Sequence, residues 1–104
     1  MDLGELHDLV TTYDGVTRTT RDGRARWQLH GRLVARQVDD DHVVVRVPFD
    51  VRDLLVHQHP EVFSVPPRFA RHMMVVADLG ASHPDLVGAV GDAVAAAWEL
   101  QRGG

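Results

Sequence analysis

Apolar and polar residues change their spacing several times along the chain, and each change marks a new element. Leu3, Leu6, Val10 and Tyr13 recur at helical intervals. Asp2, with Glu5 three residues later, has the form of an N-cap followed by a capping-box acid, so a first helix is predicted over about residues 3 to 13. "YDG" turns the chain into "VTRTT", a β-branched run suited to a strand, and "RDG" turns it again.

From residue 24 the period becomes two. Ala25, Trp27 and Leu29 share one face of a strand, while Arg24, Arg26, Gln28 and His30 share the other, and Trp27 is expected in the core. Leu33, Ala35, Val43, Val45 and Val47 join the inward face if His30 to Arg32 and Asp39 to Asp41 are three-residue loops, which pairs Leu29 with Leu33 and Arg36 with Val44. A two-residue turn at "HG" sets Arg26 against Ala35 and mixes charge with core, so the pattern favours the longer loop. The outward face then gathers Arg24, Arg26, Arg36 and Arg46 beside Val34, Val38 and Val44, with Arg32 at its rim.

A second helix is predicted with Asp50 as N-cap, Asp53 three residues on, Phe49 stapled against Leu54, and Pro60 as its stop. "EVFSV" and "RHMMVVADL" read as two more strands, separated by "PPRFA", which is too rich in proline for regular structure. A last helix is expected from Ser82 as cap, through Leu86, Val90, Val94 and Ala97, toward Leu100. The order α-β-β-β-β-α-β-β-α, with hairpin-joined strands, predicts an α+β fold: an antiparallel sheet with its helices packed on one face. The 104 residues are read as a single domain, residues 1-104.

Composition removes whole classes of chemistry. With no cysteine there are no disulfides, thiol nucleophiles or cysteine zinc sites; with no lysine there is no Schiff base and no P-loop lysine. No long apolar run and no basic leader is present, so no membrane is expected as a partner and a cytoplasmic location is expected. The formal net charge is -4, yet from Arg18 to Arg36 six arginines stand against one acid, Asp22.

The residues carry a resemblance at this point. "GRLVAR" after a tryptophan strand, an Asp-led helix running into "HPEVFSVPPRFARHMMVVADL", and a final helix holding "AAAW" resemble the MmcQ/YjbR family of small bacterial proteins over nearly the whole chain. Its most specific parts are Trp27 with Gly31 and Arg32, where the family usually has Gly-Lys, and His59-Pro60-Glu61 to Phe63, similar to the family's Asp-Pro-Glu-x-Phe. The resemblance implies a compact fold of frataxin-like topology described as a double-wing DNA-binding motif, with no established reaction. Arg32 keeps the charge of the usual lysine, whereas "FARHMM" lacks the family's Asn-Lys-x-x-Trp, so no role tied to that motif carries over.

Arginine suits phosphate, because its planar fork donates two parallel hydrogen bonds and stays protonated. Arg24, Arg26, Arg32, Arg36 and Arg46 are therefore the expected phosphate contacts, with DNA the first candidate partner. The ordinary role of arginines on an outer sheet face is to keep it soluble while their stems cover apolar neighbours. The alternative to nucleic acid is a protein partner or small ligand at the half-apolar sheet face or at the 66-72 loop, where Phe63, Phe69, Arg71 and Met73 are the expected cleft.

Other signals point to structure. "DDDH", residues 39 to 42, reads as a turn; His57 and His59, two apart, point in different directions; Ser82 and His83 lack a nucleophile elbow. Gly103 and Gly104 read as helix stop and chain end rather than a carrier tail. No metal, no cofactor and no catalytic residue is expected, and the chain is read as a non-enzymatic binding domain.

Overall fold

A computed structural model describes residues 1–103. Asp2 opens the first helix, α1 (Leu3–Thr11), through the expected reciprocal cap: its carboxylate accepts from the Glu5 N–H at 2.8 Å, and Glu5 accepts from the Asp2 N–H at 3.3 Å. Four strands follow, β1 (Val16–Arg21), β2 (Arg24–Leu29), β3 (Arg32–Gln37) and β4 (His42–Arg46), then α2 (Phe49–Gln58), β5 (Phe63–Ser64), β6 (Met74–Asp78) and α3 (Leu86–Gly103). The fold is α+β in the order read from the sequence. All pairings are antiparallel in one six-stranded sheet ordered β1-β2-β3-β4-β6-β5.

The inward face of the sheet meets all three helices. Trp27, Val43, Val45, Val75 and Ala77 form one core with Leu6 and Val10 of α1, Leu55 of α2, and Ala89, Val90, Val94 and Ala97 of α3. Trp27 is fully buried, as its place in the alternation required, and its indole N–H donates to His7 Nδ1 at 3.0 Å, which satisfies the one polar atom it carries into the core.

The β2–β3 hairpin corrects the expected loop. Leu29 pairs with Arg32 across a two-residue turn, His30 and Gly31, at φ 51 and 78, the left-handed values that a tight hairpin demands. The Asp22-Gly23 turn between β1 and β2 is built the same way, at φ 54 and 77.

A bulge then shifts the register: Gln28 pairs with Leu33, but Trp27 pairs with Ala35, leaving Val34 unpaired. The shift restores the separation that the longer loop was meant to provide, so Arg26 faces Arg36 rather than Ala35, and Arg36 faces Val44 as expected. Val34, expected on the outward face, lies in the main core with no exposure, because the two-residue turn brings it level with Trp27. After the same two-residue turn a regular ladder would turn Ala35 outward and Arg36 inward; the bulge keeps Ala35 in the core and Arg36 on the outward face, while Leu33, expected inward, is half-buried and lines the outward depression with Arg26 and Arg36.

Helix ends differ where caps compete. α2 begins at Phe49 with Pro48 before it and has no side-chain cap, so Asp50 is already inside the helix. Phe49 and Leu54 are 44% and 51% exposed and do not staple; Phe49 instead lies under the Arg52 guanidinium at 4.9 Å. α3 begins at Leu86, and Asp85 rather than Ser82 takes the capping position, accepting from the Gly88 N–H at 3.1 Å. α3 runs through Gly103; Gly104 lies outside the described residues.

"PPRFA" folds as one 3-10 turn, Pro67–Phe69, laid on the outward face. There Phe69 covers Val44 and Val76, with Val38, Val65 and Met74 around them, in a second, smaller core. Arg52 ties this turn to α2, donating to the carbonyls of Phe69, Ala70 and His72 at 3.3, 3.1 and 3.0 Å. No helix among the described residues is long and apolar enough to cross a membrane.

Candidate nucleic-acid interface

Strand pairing decides which arginines meet. Arg21 faces Arg24 across the β1–β2 ladder, and Arg26 faces Arg36 across β2–β3, so two pairs of like charges stand directly opposite one another on the outward face. Facing like charges destabilise a sheet by roughly 0.2–1 kcal/mol per pair.

Asp22 stands in the turn beside Arg21 and Arg24, but no carboxylate among the described residues forms an ion pair with any of the four. The ion pairs among the described residues join His42 to Asp39 and Asp78, Arg52 to Asp53, His83 to Glu61, and Arg102 to Glu99. Arg21, Arg24, Arg26, Arg32, Arg36 and Arg46 appear in none of them.

Arg26 and Arg36 are nonetheless held in place. Arg26 Nε donates to Gln28 Oε1 at 3.1 Å, and Gln28 Nε2 donates to the Thr19 hydroxyl at 3.3 Å, a relay that holds Arg26 along the sheet. Arg36 stands 5.9 Å from the centre of the Phe69 ring, over which Arg68 also lies, at 4.7 Å. Burial first, then the charges of Arg68, Arg26 and Arg24, hold the Arg36 guanidinium below its ordinary pKa. Arg36 is the centre of the positive cluster.

Two open depressions share Arg26 and Arg36. One, of about 170 Å³, is lined by Arg21, Arg24, Arg26 and Arg36, with Asp22 and Gln37. The other, of about 450 Å³, adds Arg32, Arg46, Met74 and Gln101. Arg32 stands at its rim and donates to the Gln101 carbonyl at 3.4 Å, while Gln101 Nε2 donates to the Leu33 carbonyl at 2.6 Å beside the bulge. The five arginines singled out from the sequence thus line one continuous surface.

Two residues of that surface were not singled out. Arg21 arrives through the tight Asp22-Gly23 turn, which sets it opposite Arg24. Arg68 arrives because the proline turn folds back over the sheet; only the folded position of that segment could reveal it.

The expected ligand cleft is not assembled. Phe63 pairs with Ala77 and points into the main core, 1% exposed, whereas Phe69 packs on the opposite side of the sheet. Arg71 is exposed and Met73 is half-buried. The two phenylalanines cannot line one cleft, because an alternating strand sends one inward and the proline turn places the other outside.

"DDDH" closes the β3–β4 hairpin, as its turn chemistry suggested. Asp39 Oδ1 accepts from the Asp41 and His42 N–H groups at 2.9 Å each and meets His42 Nδ1 at 2.9 Å. These bonds hold the Asp39 carboxyl below the usual carboxylate range, the Asp41 N–H contributing most, and the bond to Asp39 raises His42 above the ordinary histidine value.

His57 and His59 do part company at the end of α2, but His59 finds other company: its Nδ1 lies 3.0 Å from His83 Nε2, and His83 Nε2 lies 3.2 Å from Glu61 Oε1. Sequence spacing could not show this, since 24 positions separate His59 from His83.

No protein-family model matches the chain, and neither the curated proteins nor the solved structures provide a match.

Proposed function

We propose that this chain is a non-enzymatic binding domain whose outward sheet face engages the phosphates of nucleic acid, with DNA the first candidate. One observation carries the reading: Arg26 faces Arg36, and Arg21 faces Arg24, with no carboxylate paired to any of the four. Arginines kept only for solubility can alternate with acids; facing arginines impose a standing repulsion that an anionic ligand removes. The fork of each guanidinium matches a phosphate's oxygens, and the pair of adjoining depressions accommodates successive phosphates rather than one.

The resemblance to the MmcQ/YjbR family, with its double-wing description, supports the same ligand. A protein partner at the apolar half of this face is the less supported alternative, because Phe69 of the chain itself already covers Val44 and Val76 there.

The test is a fluorescence-anisotropy titration against labelled duplex and single-stranded DNA at two salt concentrations. With four to five phosphate contacts, affinity should fall about 10²- to 10³-fold between roughly 50 and 200 mM salt, and the Arg26→Ala/Arg36→Ala double variant should flatten that dependence by about two contacts. Binding below detection at low salt removes the nucleic-acid reading. A small polyanion or a protein would then be the next ligand to try on the same arginines.

A further inference from the structure

Away from the arginine face, the connection after α2 and the connection before α3 bring two imidazoles and a carboxylate together. We propose that His59, Glu61 and His83 form a site for a divalent transition-metal ion, with Zn(II) the best chemical match.

The donor set comes first. Two imidazole nitrogens and one carboxylate oxygen suit a borderline-soft ion that takes four ligands, leaving one position for water. Ligand atoms around such an ion, bonded at about 2.0–2.2 Å, stand roughly 3.3–3.6 Å from one another. His59 Nδ1 to His83 Nε2 is 3.0 Å and His83 Nε2 to Glu61 Oε1 is 3.2 Å, and all three donor atoms lie within 4.8 Å of one another. Small side-chain adjustments would let an ion sit among them.

The backbone holds the donors ready. The His59 carbonyl accepts from the Val62 and Phe63 N–H groups at 3.0 Å each, and the Val62 carbonyl accepts from the Asp78 N–H at 2.8 Å, which fixes the 59-63 turn to the end of β6. The His83 side chain is 10% exposed, while that of Glu61 is 44% exposed. An ion therefore has an open approach on the carboxylate side and a shielded imidazole behind it.

Proton placement gives the site a signature. His83 Nδ1 accepts from the Asp85 N–H at 2.9 Å, so without metal the proton of the neutral ring sits on Nε2, between His59 and Glu61. A metal ion takes that proton's place. The neutral ring then carries its proton on Nδ1, where it confronts the Asp85 N–H and breaks that hydrogen bond. One neutral hydrogen bond is small beside three metal–ligand bonds, so binding prevails and loosens the segment that leads into α3.

The experiment titrates the full chain with Zn(II) against a chromophoric chelator, and with Co(II) for its visible absorption. One equivalent is expected to bind, with affinity falling by roughly 10²-fold or more in His83→Ala and in Glu61→Gln, and unchanged in His57→Ala, whose imidazole is not part of the cluster. Amide exchange at Asp85 should speed up when Zn(II) is added. Circular dichroism establishes which variants fold; if His83→Ala does not, His59→Gln takes its place. No binding near equivalence, or binding that survives both substitutions, overturns the proposal. The DNA titration does not depend on the outcome.

Discussion

Reversing one charge at the centre of the arginine face separates folding from binding. In Arg26→Glu, the residue opposite Arg36 becomes an acid, so a cross-strand repulsion becomes an attraction. Taking roughly 7 Å between guanidinium groups on facing positions in water, the repulsion is about 0.6 kcal/mol, and reversing its sign changes the balance by about 1.2 kcal/mol. The lost bond from Arg26 to Gln28 returns roughly 0.5 kcal/mol. The free protein should therefore be more stable by about 0.5–1 kcal/mol at low salt, a rise of roughly 2–6 °C in Tm for a domain of this size.

Calorimetry at two ionic strengths checks the sign and the cause. The gain should shrink toward zero in about 1 M salt, where the screening length is near 3 Å. Arg26→Gln should fall between the wild type and Arg26→Glu. Affinity for DNA should fall in the opposite order to stability, since the site loses a phosphate contact and gains a repelling carboxylate. A variant less stable than wild type by more than about 1 kcal/mol at low salt would refute the reasoning, because the facing arginines would then not be in conflict.

Three further outcomes follow from particular residues. Gly15 sits at φ +81, and a Cβ there would come within 2.8 Å of Leu29 Cδ1, so Gly15→Ala should cost about 1–3 kcal/mol by urea denaturation, and a loss below roughly 0.5 kcal/mol would contradict that strain. His30 holds a left-handed φ of 51 in the β2–β3 turn, which asparagine tolerates better; His30→Asn should stabilise by a few tenths to about 1 kcal/mol, and a lower denaturation midpoint would count against the two-residue turn. The Asp39–His42 contact has two pH limits. Its histidine contribution is complete below the ordinary histidine pKa and fades as pH rises through the raised value; its carboxylate contribution is complete above the ordinary carboxylate pKa and fades as pH falls through the lowered one. The β3–β4 hairpin should be tightest in mildly acidic solution, and an NMR titration should show His42 losing its proton at lower pH in Asp39→Asn; an unchanged midpoint would dissolve the coupling.

Local chemistry was legible wherever one short range of residues decides the outcome. The Asp2–Glu5 capping box, the Trp27 core position, the Asp39 turn and the order of elements all depend on neighbours within a few positions, so period and side-chain type suffice to read them. The pairing of Arg36 with Val44 followed from keeping charge off the core face. Long-range pairing was not legible in the same way. The tight turn at His30 and Gly31 and the bulge at Val34 together keep the register that a longer loop had been invoked to explain, and alternation alone cannot tell two routes to one register apart.

The sequence by itself therefore determined the class of fold, the faces of β2 and β4 and the absence of lysine and cysteine chemistry, because hydrophobic period and residue inventory are properties of the chain before it folds. Only the tertiary structure decided that Arg21 and Arg68 join the arginine surface, that Phe63 and Phe69 stand on opposite sides of the sheet, and that His83 meets His59 and Glu61. Those contacts depend on where the proline turn and two connections settle once the core closes, and no local pattern encodes a meeting between segments brought together by packing alone.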